Sequence, residues 1–109
     1  VVAYTPDRGD IIWLDFDPQQ GHKIKKRRPA LVLSPKIYHK KTHLALCVPI
    51  TSQVKGYPFE VVFQHTEIAG AMLSDHIKSL DWRARNVRYI CRLPEAQLDI
   101  VKAKLMTLL

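Results

Sequence analysis

With 109 residues, 47% of them hydrophobic, the chain has material for one buried core and too little for two, so a single domain over residues 1–109 is expected. Seventeen Lys and Arg against ten Asp and Glu give a formal net charge of +7, which favours a polyanionic partner, nucleic acid ahead of a membrane surface. No segment approaches the roughly 20 consecutive apolar residues that span a bilayer, and no basic start leads into a hydrophobic signal region, so neither a membrane protein nor an exported one is expected. Cys47 and Cys91 sit in apolar surroundings as small apolar side chains, not as metal ligands or a disulfide framework. A reducing, cytoplasmic setting fits.

In chain order, the turn residues Asp7-Arg8-Gly9-Asp10 precede a strand over residues 11–16, with Ile12, Leu14 and Phe16 on one face. The segment from His22 to Arg28 has no periodic apolar face and reads as a long, mobile loop; Lys23, Lys25, Lys26, Arg27 and Arg28 make it strongly basic. Residues 29–33 form a second, buried strand, and Ser34-Pro35 matches a helix N-cap followed by proline, opening a single helical turn through Ile37 and Tyr38. Residues 44–50 and 59–63 are the third and fourth strands, with Gly56-Tyr57-Pro58 as the turn between them. Glu67-Ile68-Ala69-Gly70 is read as a turn, followed by short strands at 71–73 and 76–80. Arg83, Arg85, Arg88 and Arg92 form a second basic cluster, for which a solvated charge run competes with a binding role. From Pro94 and Glu95 onward, Leu98, Val101, Leu105 and Leu108 recur at spacings of three and four, which predicts a C-terminal helix. Short strands closed by one helix argue for a small curled sheet or barrel of mainly antiparallel strands.

Two segments join strand ends to polar groups suited to RNA chemistry: Arg27-Arg28-Pro29 and Pro49-Ile50-Thr51-Ser52. Together with Gly9-Asp10-Ile11-Ile12-Trp13, Asp15-Phe16-Asp17-Pro18 and the run from Arg28 to Pro35, they follow in the order of MazF/PemK toxins, which the chain resembles over nearly its whole length. The run from Lys55 to Val62, Asp75-His76-Ile77-Lys78-Ser79 and Trp82-Arg83-Ala84-Arg85 resemble the MazF branch in particular. The resemblance implies a mainly β fold, a small SH3-like barrel of the CcdB/PemK type with a C-terminal α-helix. It also implies a homodimeric toxin that cleaves single-stranded RNA without a cofactor or metal, leaving a 2′,3′-cyclic phosphate and a 5′-hydroxyl. An antitoxin with an acidic C-terminal tail neutralises such toxins and binds DNA with them.

The residues that the family ties to cleavage carry over to Arg28 and Thr51. Attack by a ribose 2′-OH builds negative charge on the nonbridging oxygens, which a permanently charged, planar guanidinium meets with paired donors. The Thr51 hydroxyl would hold a phosphate oxygen or the leaving 5′-oxygen. Without the ordered motifs, Arg28 reads as a surface cation and Thr51 as a turn hydroxyl. His22, Lys23, Lys25, Lys26, Arg27, Ser52, Lys55, Tyr57, Asp75, Lys78, Arg83 and Arg85 complete the candidate RNA-binding set. Ser52 has an equal claim as a plain turn residue.

Many family members carry Gly-x-Glu-Gln-x-Gly-x-Arg-Pro in the first loop, and Lys23 stands where that Glu falls. Either His22, a lysine crowded by like charges, or no dedicated group serves as base; the last is the working hypothesis, with the loop as an RNA clamp. His39 and His43 have a spacing that suits zinc on a helical face, but they read as solvated residues of a basic loop. Asp75 and His76, adjacent on a strand, would point to opposite faces, so His76 is read as non-catalytic. Trp13 is expected in the core, and Tyr57 and Trp82 in core packing or a dimer interface ahead of base stacking. The rival functions are a CcdB-like gyrase-inhibiting toxin and a non-catalytic RNA-binding barrel.

Overall fold

The computed structural model describes residues 3–17 and 26–109, without the side chains of residues 17 and 26. Strand β1 (Asp10–Asp17) pairs antiparallel with β2 (Lys26–Val32), and helix α1 (Lys36–Thr42) leads into β3 (Leu44–Thr51). Strands β4 (Glu60–Gln64) and β5 (Ala69–Leu73) form a hairpin. After β6 (Lys78–Asp81), a 3-10 turn at Trp82–Ala84 leads to β7 (Arg88–Arg92), and helix α2 (Glu95–Met106) closes the chain.

Alternation along the three central strands explains the architecture. Ile11, Leu31, Val48 and Ile50 point into one core, which Phe63, Met72, Leu98 and Val101 complete from β4, β5 and α2. Ile12, Leu14, Ala30, Val32, Ala45 and Cys47 point into a second core on the opposite face, covered by Leu80, Tyr4, Phe16, Trp82 and Val87. Successive side chains of a strand leave on opposite faces, so a sheet apolar at nearly every position needs cover on both. The sheet order is β4-β5-β3-β2-β1-β7, and β3 has two partners along one side: its first half pairs β6 and its last residues pair β5. Sharing one strand in this way curls the sheet into a mainly β, SH3-like barrel with a C-terminal helix, as expected.

Several local expectations need correction. Lys26, Arg27 and Arg28 belong to β2 and not to a loop, because β1 supplies backbone partners in the register Leu14↔Arg28 and Asp15↔Arg27. Ser34 does not cap α1. Pro35 takes the cap position, and the Ser34 Oγ lies 2.6 Å from His39 Nε2 and accepts the Leu46 amide at 2.9 Å. The helix runs seven residues and makes His39 fully buried, its Nδ1 2.7 Å from the Pro6 carbonyl oxygen; only His43 is exposed. A carbonyl only accepts, so Nδ1 is the donor to Pro6, and in the neutral ring of that tautomer Nε2 accepts the hydrogen bond that the Ser34 hydroxyl donates. Gly70 lies within β5, and Asp75 and His76 fall in a turn before β6, where their side chains approach to 3.8 Å on an exposed surface. Strand β7 was hidden in the second basic cluster because only Ile90 of its five side chains is buried. Helix α2 buries Leu98 and Val101, but Leu108 lies beyond its end and is exposed.

Candidate functional site

The site begins where two strands part. The β2–β3 pairing runs from Val32↔Cys47 to Ala30↔Pro49 and ends there. Neither Pro29 nor Pro49 has an N–H to give to a ladder, so continued pairing across them is disfavoured. Beyond that point β2 stays with β1, as Pro29↔Trp13 and Arg28↔Leu14, while β3 goes to β5, as Ile50↔Met72 and Thr51↔Ala71. Between the diverging strands lies a cavity of about 520 Å³. Arg27, Arg28 and Pro29 form one wall and residues 50–53 the other, with Trp13 and residues 67–69 completing the lining.

The two arginines of this wall are in different states. Arg27 is tied down: its Nη1 lies 3.1 Å from Oδ1 of Asp15, a carboxylate only 4% exposed that also accepts from Asn86 at 2.9 Å. Arg28 is half-buried and has no carboxylate partner among the described residues. Opposite it, Thr51 Oγ1 accepts the Gln53 amide at 3.2 Å, the short side-chain-to-backbone turn expected of threonine at a strand end. That bond uses an oxygen lone pair and leaves the hydroxyl proton to donate. Gly70 permits the close packing behind Thr51, since a Cβ there would fall 2.0 Å from the Thr51 carbonyl oxygen.

A second cavity of about 170 Å³ adjoins the first, with Thr51 and Gln53 in the lining of both. Lys55, Tyr57, Glu60, Leu73, Asp75 and His76 complete it. Glu60 shapes this end by accepting the Lys55 amide at 3.1 Å and the Gly56 amide at 2.9 Å. Gly56 turns the loop at φ +80°, a conformation open to glycine at little steric cost. A continuous trough therefore runs from the Arg27–Arg28 wall past Thr51 to Tyr57 and Asp75.

A family model described as PemK-like, MazF-like toxin of type II toxin-antitoxin system matches residues 7–109. The chain belongs to that family. Among curated relatives, the Endoribonuclease toxin MazF of Escherichia coli (strain K12) is 48% identical over 109 residues, 100% of this chain and 98% of that protein. Endoribonuclease PemK of Escherichia coli is 28% identical, covering 94% of this chain and 81% of its own length, so the chain lies in the MazF branch. Among solved structures, a chain of the MazE–MazF crystal structure (form II) from Deinococcus radiodurans matches with a TM-score of 0.90 at 47% identity, over 97% of this chain and 96% of that one. MazF (form I) from the same organism gives 0.87 at 46% identity, over 97% of each chain.

In this MazF-like chain the trough gathers Arg27, Arg28, Thr51, Ser52, Lys55, Tyr57 and Asp75 of the candidate set. His22, Lys23 and Lys25 lie outside the described residues, as does the Lys26 side chain. Lys78, Arg83 and Arg85 do not line either cavity. Lys78 Nζ stands 6.0 Å from the centre of the Phe16 ring. Arg83 is at the opposite end of β3 from Thr51, with its Nη1 2.8 Å from His43 Nε2. Arg85 is half-buried and donates to the Asp15 and Phe16 carbonyls at 2.9 and 2.8 Å, which makes it a brace for β1.

Trp13 is half-buried and lines the first cavity, so it is less enclosed than expected, whereas Trp82 packs on the second core and donates to the His39 carbonyl at 3.3 Å. Tyr57 is 62% exposed along the trough. Two polar lining residues fall outside every motif read from the sequence: Gln53 and Glu67. Gln53 directly follows the Pro49–Ser52 motif, the one sequence signal that could have found it. Glu67 is far from the motifs in sequence and reaches the cavity through the β4–β5 hairpin.

Proposed function

We propose that this chain is an endoribonuclease toxin that cuts single-stranded RNA by attack of the RNA's own 2′-OH. Arg28 stabilises the phosphorane charge and Thr51 donates its hydroxyl to a phosphate oxygen. The observation that carries the reading is the cleft opened at Pro29 and Pro49, lined by an arginine with no carboxylate partner among the described residues and by a threonine hydroxyl that accepts the Gln53 amide. A preorganised cation in a partly enclosed site costs no reorganisation as charge develops, which is why such groups lower barriers effectively. The attack forms the O2′–P bond and breaks the P–O5′ bond, leaving a 2′,3′-cyclic phosphate and a 5′-hydroxyl. Metal ions are not required for this route, since the guanidinium supplies the countercharge.

Thr51 belongs to both cavities, so the scissile phosphate sits at their junction with a nucleotide on either side. Tyr57 offers an exposed ring for stacking and Lys55 a phosphate contact. The full-length likeness to named endoribonucleases and to chains from MazE–MazF complexes supports an antitoxin partner, whose acidic C-terminal tail would compete for the same basic trough. The toxin acts as a homodimer in the cytoplasm, and binds DNA together with its antitoxin.

The test is incubation of the purified protein with a long defined RNA in EDTA, mapping cut sites and end groups beside Arg28→Ala. Cuts at a short recurrent motif with cyclic phosphate ends, lost in the variant, are expected. Binding without cutting would favour a non-catalytic RNA-binding barrel. Inhibition of gyrase with no effect on RNA would favour a CcdB-like mode.

A further inference from the structure

Attack by a 2′-OH releases a proton; the sequence offers His22, a loop lysine or no dedicated base to receive it, and the fold brings a different group to the cavity. We infer that this group, Glu67, receives the proton. This deepens the endoribonuclease reading and rests on it. Among the described residues lining the cavity that holds Arg28 and Thr51, Glu67 is the one carboxylate.

The fold holds Glu67 in place although it lies on a hairpin tip. The His65 amide donates to the Ile68 carbonyl at 2.8 Å and closes the turn, and the Glu67 amide donates to His65 Nδ1 at 3.3 Å. Ile68, next in the chain, is 8% exposed and anchored in the first core. Across the sheet, Arg88 Nη2 of β7 stands 3.6 Å from Glu67 Oε2 and limits where the carboxylate points. Among the described residues, the charged and titratable groups near it or lining the same cavity are Arg88 and Cys91 on β7, His65 on its own hairpin, and Arg27 and Arg28 on the β2 wall. A carboxylate offers oxygen lone pairs that can accept a proton.

In the step, the 2′-hydroxyl proton passes to a Glu67 oxygen as the O2′–P bond forms and the P–O5′ bond breaks. The 5′-oxygen takes a proton from solvent, and Glu67 returns its own to solvent, so no other reactant is consumed.

The experiment is single-turnover cleavage of a saturating RNA oligonucleotide carrying the mapped cut motif, from pH 5 to 9, for the wild type, Glu67→Gln, Arg88→Ala and Arg28→Ala. Affinity is measured on the same oligonucleotide with a 2′-deoxy sugar at the cut. Glu67→Gln is expected to slow cleavage about 100-fold, within the usual range for a general base, to flatten the acidic limb of the pH profile, and to change affinity less than threefold. Arg88→Ala breaks the same ion pair but keeps the carboxylate, and should retain the acidic limb. A Glu67→Gln rate within threefold of wild type, or a slow variant with the acidic limb intact, overturns the assignment while leaving the endoribonuclease reading standing. A wild type that does not cut, or an Arg28→Ala variant that cuts equally well, overturns that reading and the role of Glu67 with it.

Discussion

Gly70 lies against Thr51 so closely that a methyl group on it would stand 2.0 Å from the Thr51 carbonyl oxygen. The neighbour is backbone, which cannot swing aside as a flexible side chain can. Gly70→Ala must therefore push β5 and the end of β3 apart, at a cost of about 1–3 kcal/mol by analogy with overpacked cores. The shift falls on the strand end that carries Thr51, so the cleavage rate at saturating RNA should drop at least tenfold in protein that is still folded. Thermal unfolding and single-turnover kinetics on one preparation check both effects.

Thr51→Val keeps the shape of the side chain and removes the hydroxyl. A lost donor to the developing phosphorane charge should reduce the single-turnover rate by about 10²-fold, the scale found for single oxyanion donors. Stability should change by less than about 1 kcal/mol, since the Gln53 amide that loses its acceptor is exposed to water. Thr51→Ser should keep most of the rate. Equal activity of the Val and Ser variants would remove the hydroxyl from the chemistry.

His22→Ala with Lys23→Ala tests the basic loop as a clamp. RNA affinity should fall, and the slope of log affinity against log salt should flatten by about one for a lost phosphate contact. The rate at saturating RNA should hold within a few-fold. A collapse of that rate would transfer the chemistry to the loop.

Alkaline stability follows from two groups that the fold keeps protonated. Burial raises the Cys47 thiol from 9.0 to about 12, and burial together with the bond to Asp10 raises the Tyr4 hydroxyl well above its usual range. A group whose folded pKa lies above its unfolded value stabilises the native state fully below the unfolded pKa and loses that contribution as pH rises through the folded one. Urea midpoints should therefore be insensitive to Cys47 below pH 9 and fall between pH 9 and 12, and Cys47→Ala should flatten the thiol's share of that decline. Alkylation at pH 8 should reach half-buried Cys91 well before Cys47.

The sequence by itself determined the strand alternation of β1 and β3, the amphipathic start of α2, the two motifs around Arg28 and Thr51, and the family they belong to. These are local signals: side-chain period, turn residues and ordered short motifs are read from neighbours along the chain. The tertiary structure decided what depends on pairing across it. Lys26, Arg27 and Arg28 look like a loop until β1 supplies their backbone partners, and Arg88–Arg92 look like a charge run until β1 pairs with them on its other edge. His39 looks solvated until α1 turns it toward Ser34 and Pro6. Gly70 and Glu67 reach the site from the part of the β4–β5 hairpin beyond Val62, which no motif marks. Their places are set by β3 leaving β2 at Pro49 to pair with β5, a choice made by the whole sheet and written in no single segment.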